Sequence, residues 1–287
     1  MPLALAWPAA AMLETNGRAG GNVLDTETIV GLGSAALAVL SAVLSGLMAN
    51  RSARLAHELE RQKKAEDAAE EAERILQQYR DPLLDAAHTL QGRLYNIIAQ
   101  GFLDKAYGDH VPEHERRYAR EYTVFAIGEY LCWVEILRRE LRFRDLGDVS
   151  RNRTLLEHLT HIQYAFQRDD IPAQFRVFRG RQRAIAEVMM TPTNAPEGPR
   201  SECIGYATFT RRLEQDPEFA SWFQQLCDDV AIVAASSPYE NRRLVFIQQH
   251  LIDLIDFLDP EKVRIPPQFR AKLPDPAPVP AQATATA

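Results

Sequence analysis

Cysteine is almost missing from this 287-residue chain: Cys132, Cys203 and Cys227 are the only three, and each stands among apolar residues. So few, and an odd number, exclude a secreted disulfide scaffold and point to buried free thiols in a reducing compartment. Lysine is scarce as well, with 5 Lys against 28 Arg. The phosphate-cradling and nucleophile signatures GxGxxG, GxxxxGK[ST] and GxSxG are missing, as are HExxH and CxxC. Nucleotide folds, serine hydrolases and zinc ribbons therefore have no support. No His-Asp dipeptide occurs, which removes the usual metal signature of helical phosphohydrolases. No stretch alternates apolar and polar residues with period two for long enough to predict a sheet. An overall acidic balance, pI near 5.7, gives no reason to expect nucleic acid.

What is present is a folded composition, 46% hydrophobic with a formal net charge of -6, which excludes both a wholly disordered chain and a polytopic transporter. The average conceals three unlike segments. From Ile29 to Ala49 the chain reads IVGLGSAALAVLSAVLSGLMA without a charge. At about 1.5 Å per residue such a run matches a bilayer's hydrocarbon thickness and predicts a transmembrane helix over 29–49. Glu14, Asp25 and Glu27 precede it with only Arg18, the wrong flank for a cleaved signal peptide. Arg51, Arg54, Arg61, Lys63 and Lys64 follow it, so the positive-inside rule puts 1–28 outside, as a disordered extracytoplasmic N-terminus, and the body in the cytoplasm. The expected location is the cell membrane, spanned once. Small residues along the span (Gly31, Ala35, Ala38) and a narrow apolar stripe from Ala65 to Tyr79 would allow a homodimer through span and stalk.

Residues 50–80 are rich in Ala, Glu, Lys and Arg with no Gly or Pro and read as a helical stalk, with coiled-coil character. Asp81-Pro82 predicts a fresh helix start, and Gly108 a break. Further helices are predicted from about Pro112 to Leu146, from Ser150, after Pro172, from Tyr206, from Asp216-Pro217 and from Ser237-Pro238, each with an apolar stripe at three-to-four spacing. Thr191 to Arg200, with three prolines and a glycine, reads as a loop. The expected fold is all-α: a transmembrane helix, a stalk, and a six- or seven-helix bundle over 81–264. Residues 265–287, rich in Pro, Ala and Thr, are expected to form a disordered tail.

Charge is unevenly spread. Arg138 to Arg183 holds eleven Arg against six acids, whereas Glu214 to Glu261 holds ten acids and two Arg. Guanidinium forks suit phosphates and carboxylates, so Arg138, Arg139, Arg142, Arg144, Arg176, Arg179, Arg181 and Arg183 form a candidate surface for anionic lipid or a protein partner. The competing expectation is that these arginines pair with the acidic helices of the same bundle. Polar residues also interrupt apolar helices, and Arg93, Glu135 and Glu187, with Arg183, are candidates for a buried network or a small-ligand pocket. His158 and His161, beside Glu157, share the i, i+3 spacing of Asp85 and His88, but both sets fall short of a di-iron ligand pattern. No metal and no cofactor are expected, and the leading expectation is a binding or scaffold role, with a membrane-tethered helical enzyme or small-ligand sensor built around Glu135, Arg183 and Glu187 as the alternative.

The blocks LQGRLYNI, GEYLCWVEILRRE, FRGRQRAIAEVM, ECIGYATF and HLIDLIDFLDP resemble those of a group of bacterial proteins with one N-terminal membrane helix and a helical cytoplasmic domain. The likeness runs from about Tyr79 to Pro260. None of these blocks is a catalytic motif, so the resemblance implies an anchored helical architecture and no activity.

Overall fold

The Ala-, Glu- and Arg-rich sequence that follows the N-terminal segment continues in the computed structural model as one helix, α1 (Thr26–Gln100). The structure describes residues 26–142, 150–195, 198–235 and 241–275, with side chains described from Leu37 onward apart from 38–39, 68–69, 71–73, 75–77, 141–142, 150–152, 194–195 and 198–199. The chain divides into two compact units, Met1–Gln62 and Lys63–Ala287.

The first unit carries no core of its own among the described residues. Leu37, Leu40, Val43, Leu44, Leu47 and Met48 are 53% to 70% exposed, and Leu55 and Leu59 are exposed as well. The expected span at 29–49 lies partly outside the described residues, and among the described residues no helix is long and apolar enough to cross a membrane. The stalk stripe falls mostly on side chains outside the described residues, but its last member, Tyr79, is buried in the second unit.

The second unit is an all-α bundle with one small ribbon. After the C-terminal part of α1 come α2 (Phe102–Ala106), α3 (Glu113–Arg142), α4 (Ser150–Gln167) and α5 (Arg179–Met189), then β1 (Met190–Ala195) and β2 (Gly198–Cys203). The helices α6 (Tyr206–Gln215), α7 (Pro217–Ala234) and α8 (Arg242–Leu258) follow, and a 3-10 turn at Pro267–Phe269 is the last element among the described residues. Leu83, Leu84, Leu90 and Leu94 of α1 meet Ile127 and Leu137 of α3, Phe219 and Phe223 of α7, and Leu251 and Ile255 of α8 in one core. Most of the expected apolar stripes are its inner faces, but Tyr118, Leu156 and Phe178, which fall on those stripes, are 44% to 58% exposed. Gly128 of α3 permits a close helix approach: a Cβ there would meet Met189 and Phe223 at 3.3 Å.

Four expectations need correction. Asp81-Pro82 does not start a helix, because α1 runs through Pro82. A helix-interior proline costs about 3 kcal/mol, but Leu83, Leu84, Ala86 and Ala87 beyond it are all buried and hold the helix in register. The Asp81 carboxylate instead pairs with Arg264. The break expected at Gly108 is present between α2 and α3, but an earlier one comes at Gly101, whose φ of 60° is the left-handed conformation glycine adopts freely, and the short α2 between them raises the expected six or seven helices to eight among the described residues. The loop expected at 191–200 belongs to an antiparallel hairpin in which Met190 pairs with Cys203 and Thr193 with Arg200. Its prolines are tolerated because each strand of a two-stranded ribbon has an unpaired edge where a missing N–H costs nothing. The fourth correction concerns the tail expected from Ile265. As far as Leu273 it is packed: Ile265, Arg270 and Leu273 are buried, and Gln248 accepts from the Leu273 N–H at 2.9 Å. Residues 276–287, and the Ser237-Pro238 start, lie outside the described residues.

Two buried charges organise this unit. Arg243 at the start of α8 is 1% exposed and directs all five guanidinium N–H groups at backbone carbonyls: Gln174, Ala165, Phe166, Arg168 and Pro172, at 2.7 to 3.0 Å. Burial, with Arg176 and Arg168 nearby, lowers its pKa to about 10, which leaves it charged at neutral pH. Asp259, also 1% exposed, accepts from the N–H groups of Val263, Arg264 and Ile265 and from Arg270. Replacing Arg243 with Met removes the side-chain donor from five carbonyls, of which Phe166 also accepts from the Val177 N–H, and urea unfolding is expected to show a loss of about 3 kcal/mol or more.

Burial alone would raise the Asp259 pKa, but the three N–H groups and Arg270 outweigh it and hold the carboxyl below its usual value. A carboxylate with a folded pKa below its unfolded one stabilises fully above the unfolded value and loses that contribution as pH falls toward the folded one. Asp259→Asn is therefore expected to lower stability at neutral pH and to flatten the acid loss between about pH 5 and about pH 3, read from unfolding midpoints across that range.

Candidate functional site

Three helices that the sequence patterns as ordinary core elements leave a cleft of about 190 Å³ between them, lined from α3, α4 and α5. Its walls are apolar: Leu131 and Val134 from α3, Leu156, Leu159 and Phe166 from α4, and Ala186 from α5. Arg138, Arg179 and Arg183 line it as well, with a single carboxylate, Glu135. Three cationic groups against one anionic group leave the polar part of the cleft positive.

Glu135 is the electrostatic centre. Arg138 donates to both of its oxygens, at 2.6 and 2.5 Å, Arg139 donates at 3.0 Å, and Arg183 Nε stands 3.7 Å away. Burial by itself would raise the Glu135 pKa, but the hydrogen bonds from Arg138 and Arg139 and the charges of Arg138 and Arg183 together lower it. A carboxylate held ionised in this way is a poor proton donor or acceptor at neutral pH, which argues for an organising role. Arg139 reaches on to Glu187 at 2.7 Å. Arg179 has no ion-pair partner among the described residues and stays exposed.

Tyr130, 2% exposed, also lines the cleft, and its hydroxyl is buried with no hydrogen-bond partner among the described residues. Burial drives its pKa far up, so it is a neutral phenol. Unpaired buried hydroxyls are uncommon in native proteins because each forfeits its hydration. Beside it, Gln182 is fully engaged in positioning, donating to the carbonyls of Val177 at 2.7 Å and Gln163 at 3.1 Å, which ties the start of α5 to α4.

The predicted site residues separate into groups. Glu135 and Arg183 come together as expected, joined by Arg138 and Arg179 at one cleft. Glu187 is tied in only through Arg139. Arg93 does not reach Glu135; it sits among the rings of Phe102, Tyr118 and Tyr122. Arg181 donates to the carbonyls of Ser221 and Trp222, and Arg176 lies over the Phe178 ring. The Arg142 side chain and Arg144 lie outside the described residues. The basic stretch thus pairs with Asp170 inside it and with Glu135 and Glu187 on either side of it, and its one contact with the acidic C-terminal helices given above, from Arg181, goes to backbone carbonyls.

Those C-terminal acids find other partners: Glu214 takes Arg117, Asp216 takes Arg212, and Asp253 takes Lys272. On α4, His161 stacks near His250 at 5.5 Å and His158 near Phe257 at 5.4 Å. Among the described residues no group of three or more His, Cys, Asp or Glu side chains is placed to hold a metal ion. The three cysteines are free, Cys132 buried and the other two half-buried.

No protein-family model, no curated protein and no solved structure matches this chain. The geometry of the cleft therefore carries the functional argument. Because the Tyr130 hydroxyl is buried without a partner, Tyr130→Phe is expected to raise the stability of the ligand-free protein by about 1 kcal/mol, seen as a higher melting temperature. A lower melting temperature would mean that the hydroxyl is already satisfied.

Proposed function

We propose that this chain is a membrane-anchored helical protein whose bundle binds a small amphiphilic anion in the cleft between α3, α4 and α5. The observation that carries the reading is the joint presence of apolar walls, three arginines around one carboxylate, and the unpartnered Tyr130 hydroxyl in one concave space. Leu131, Leu159 and Phe166 suit a short hydrocarbon body, Arg179 and Arg183 suit an anionic head, and Tyr130 supplies a hydrogen bond that an incoming polar atom would complete. The cleft, about 190 Å³, suits a small ligand.

Anchoring rests on different evidence. The uncharged run at 29–49 has the length of a span, the basic residues from Arg51 to Lys64 favour a cytoplasmic bundle, and the leucines from Leu37 to Leu59 are exposed and need cover. Small residues in the run would let two copies approach closely in lipid.

A flat basic face for docking protein or lipid is the weaker reading, because Arg138 and Arg139 are committed to Glu135 and Arg181 to backbone carbonyls. The test uses the full chain in lipid nanodiscs, titrated calorimetrically with hexanoate and with hexanol as the uncharged match. Saturable binding of hexanoate, absent for hexanol and weakened about tenfold or more when Arg179 and Arg183 are both changed to Ala, is the expected result. Equal binding of the two probes, or hexanoate binding untouched by the double change, overturns it.

A further inference from the structure

Three arginines in the second unit are at most 8% exposed: Arg243, Arg270 and Arg93. Two are saturated. Arg243 spends its donors on five carbonyls, and Arg270 bonds Asp256, Asp259 and the Ile265 carbonyl. Arg93 differs. Its one hydrogen bond among the described residues runs from Nη2 to the Tyr118 hydroxyl at 3.3 Å, and no carboxylate there pairs with it. Its guanidinium carbon instead lies 4.5 Å from the Phe102 ring centre, 4.7 Å from Tyr122 and 5.4 Å from Tyr118. Rings hold a guanidinium in place and favour its charge, yet they take up none of its in-plane N–H groups.

Those N–H groups border a cleft of about 400 Å³, distinct from the one between α3, α4 and α5. Thr89 and Asn96 flank Arg93 on α1, one turn away on either side, and His88 lies beside them. A second hollow of about 390 Å³ shares His88 and Asn96 and adds Gln91, Gln100 and Gln268. No Asp or Glu lines either hollow. Burial lowers the His88 pKa, with Asp85 opposing and Arg270 reinforcing, so its imidazole is a neutral donor and acceptor at pH 7.

We infer that Arg93 is the anchor of a second binding site, for a small polar molecule carrying one phosphate or carboxylate group. The fork of Arg93 takes the oxyanion, the aromatic rings keep the fork rigid, and the amides and hydroxyl along α1 suit a hydrogen-bonding body instead of a hydrocarbon one. A cation partly withdrawn from water, ringed by neutral groups and lacking a carboxylate, is the arrangement that gains most from an incoming anion.

The experiment is isothermal titration of the full chain in nanodiscs with inorganic phosphate, acetate and a hexose monophosphate. At least one oxyanion probe is expected to bind saturably, with the hexose monophosphate tighter than inorganic phosphate if phosphate is the head, and acetate the stronger simple ion if carboxylate is. Arg93→Lys keeps the charge but loses the planar fork, and is expected to weaken binding about tenfold or more. Because Arg93 is packed among rings, Asn96→Ala, which alters only the cleft wall, serves as a second variant and is expected to weaken binding with an unchanged melting temperature. Arg179→Ala combined with Arg183→Ala is expected to leave this binding intact. The inference is overturned if none of the probes binds, if Arg93→Lys and Asn96→Ala both bind as the parent does, or if binding disappears with Arg179 and Arg183.

Discussion

Arg243 is the residue whose contacts the part of the bundle around the α3–α4–α5 cleft depends on. α4 and α5 are joined by a segment with almost no regular structure, and such a segment carries backbone carbonyls that must be satisfied once buried. Five of them, from the last turn of α4 through Gln174, converge on one guanidinium delivered by α8. A single rigid cation does what several waters or a longer turn would otherwise do. The same segment is braced from α7, where Asp229 accepts from the Phe175 N–H at 2.9 Å while Phe175 holds a φ of 56° that non-glycine residues rarely adopt. The direction in which the chain enters α5 follows from these contacts, and with it the placement of Arg179, Gln182 and Arg183 opposite α3. The cleft is therefore a product of loop geometry fixed from behind by α7 and α8.

The arginine-rich composition acquires meaning when each guanidinium is followed to its partner. Arg243 satisfies carbonyls, Arg270 and Arg264 fasten the C-terminal segment through Asp256, Asp259 and Asp81, and Arg138 with Arg139 neutralises Glu135. These are positional tasks for which a planar, always charged fork is better suited than an ammonium. Arg93, Arg179 and Arg183 stand apart, each bordering a cleft with donors not fully used inside the fold. The regional charge imbalance is thus only half explained by internal pairing. Glu135 illustrates the difference: a lone acid amid cations would dominate a flat surface, but here it fixes the spacing of arginines around a cavity.

Much of the helical plan was legible because core stripes at three-to-four spacing and N-cap residues are local signals. Asp216-Pro217 behaves as such a signal, its carboxylate accepting from the Phe219 N–H at 3.0 Å. Asp81-Pro82 has the same letters and a different outcome, because good helix formers precede it and buried residues follow it on the same face, and tertiary burial overrides the local cue. The hairpin was hidden by its prolines, which read as loop unless one knows that both strands are edges. Ile265 and Leu273 were too widely spaced to show a period, so their burial against α8 had no sequence signature. Leu131, Val134, Leu156, Leu159 and Phe166 read as core residues, and by spacing they are indistinguishable from core. That three stripes meet around a space rather than closing it is a property of helix placement, which periodicity does not encode. The unpartnered Tyr130 hydroxyl is invisible for the same reason.

The contrast between the two units carries the argument for an anchor further than hydropathy alone. In the bundle most large apolar residues are buried in one core, with Tyr164, Phe178 and Val263 among the exposed exceptions. Along 37–59 every large apolar side chain is exposed in the described residues, from Leu37 at 70% to Leu59 at 64%. An isolated helix in water draws little stability from propensity, and one bearing such a row of leucines incurs their hydration as well. The exposed row in the first unit is the observation that motivates the proposed anchor. In the anchored arrangement proposed above, a bilayer would accommodate the uncharged stretch up to Ala49, and the basic residues that begin at Arg51 would mark the level at which lipid gives way to water. On the same proposal the exposed Leu55 and Leu59 would lie beyond that level among charges, where headgroups or a second copy of the helix, and not continued hydrocarbon, would cover them.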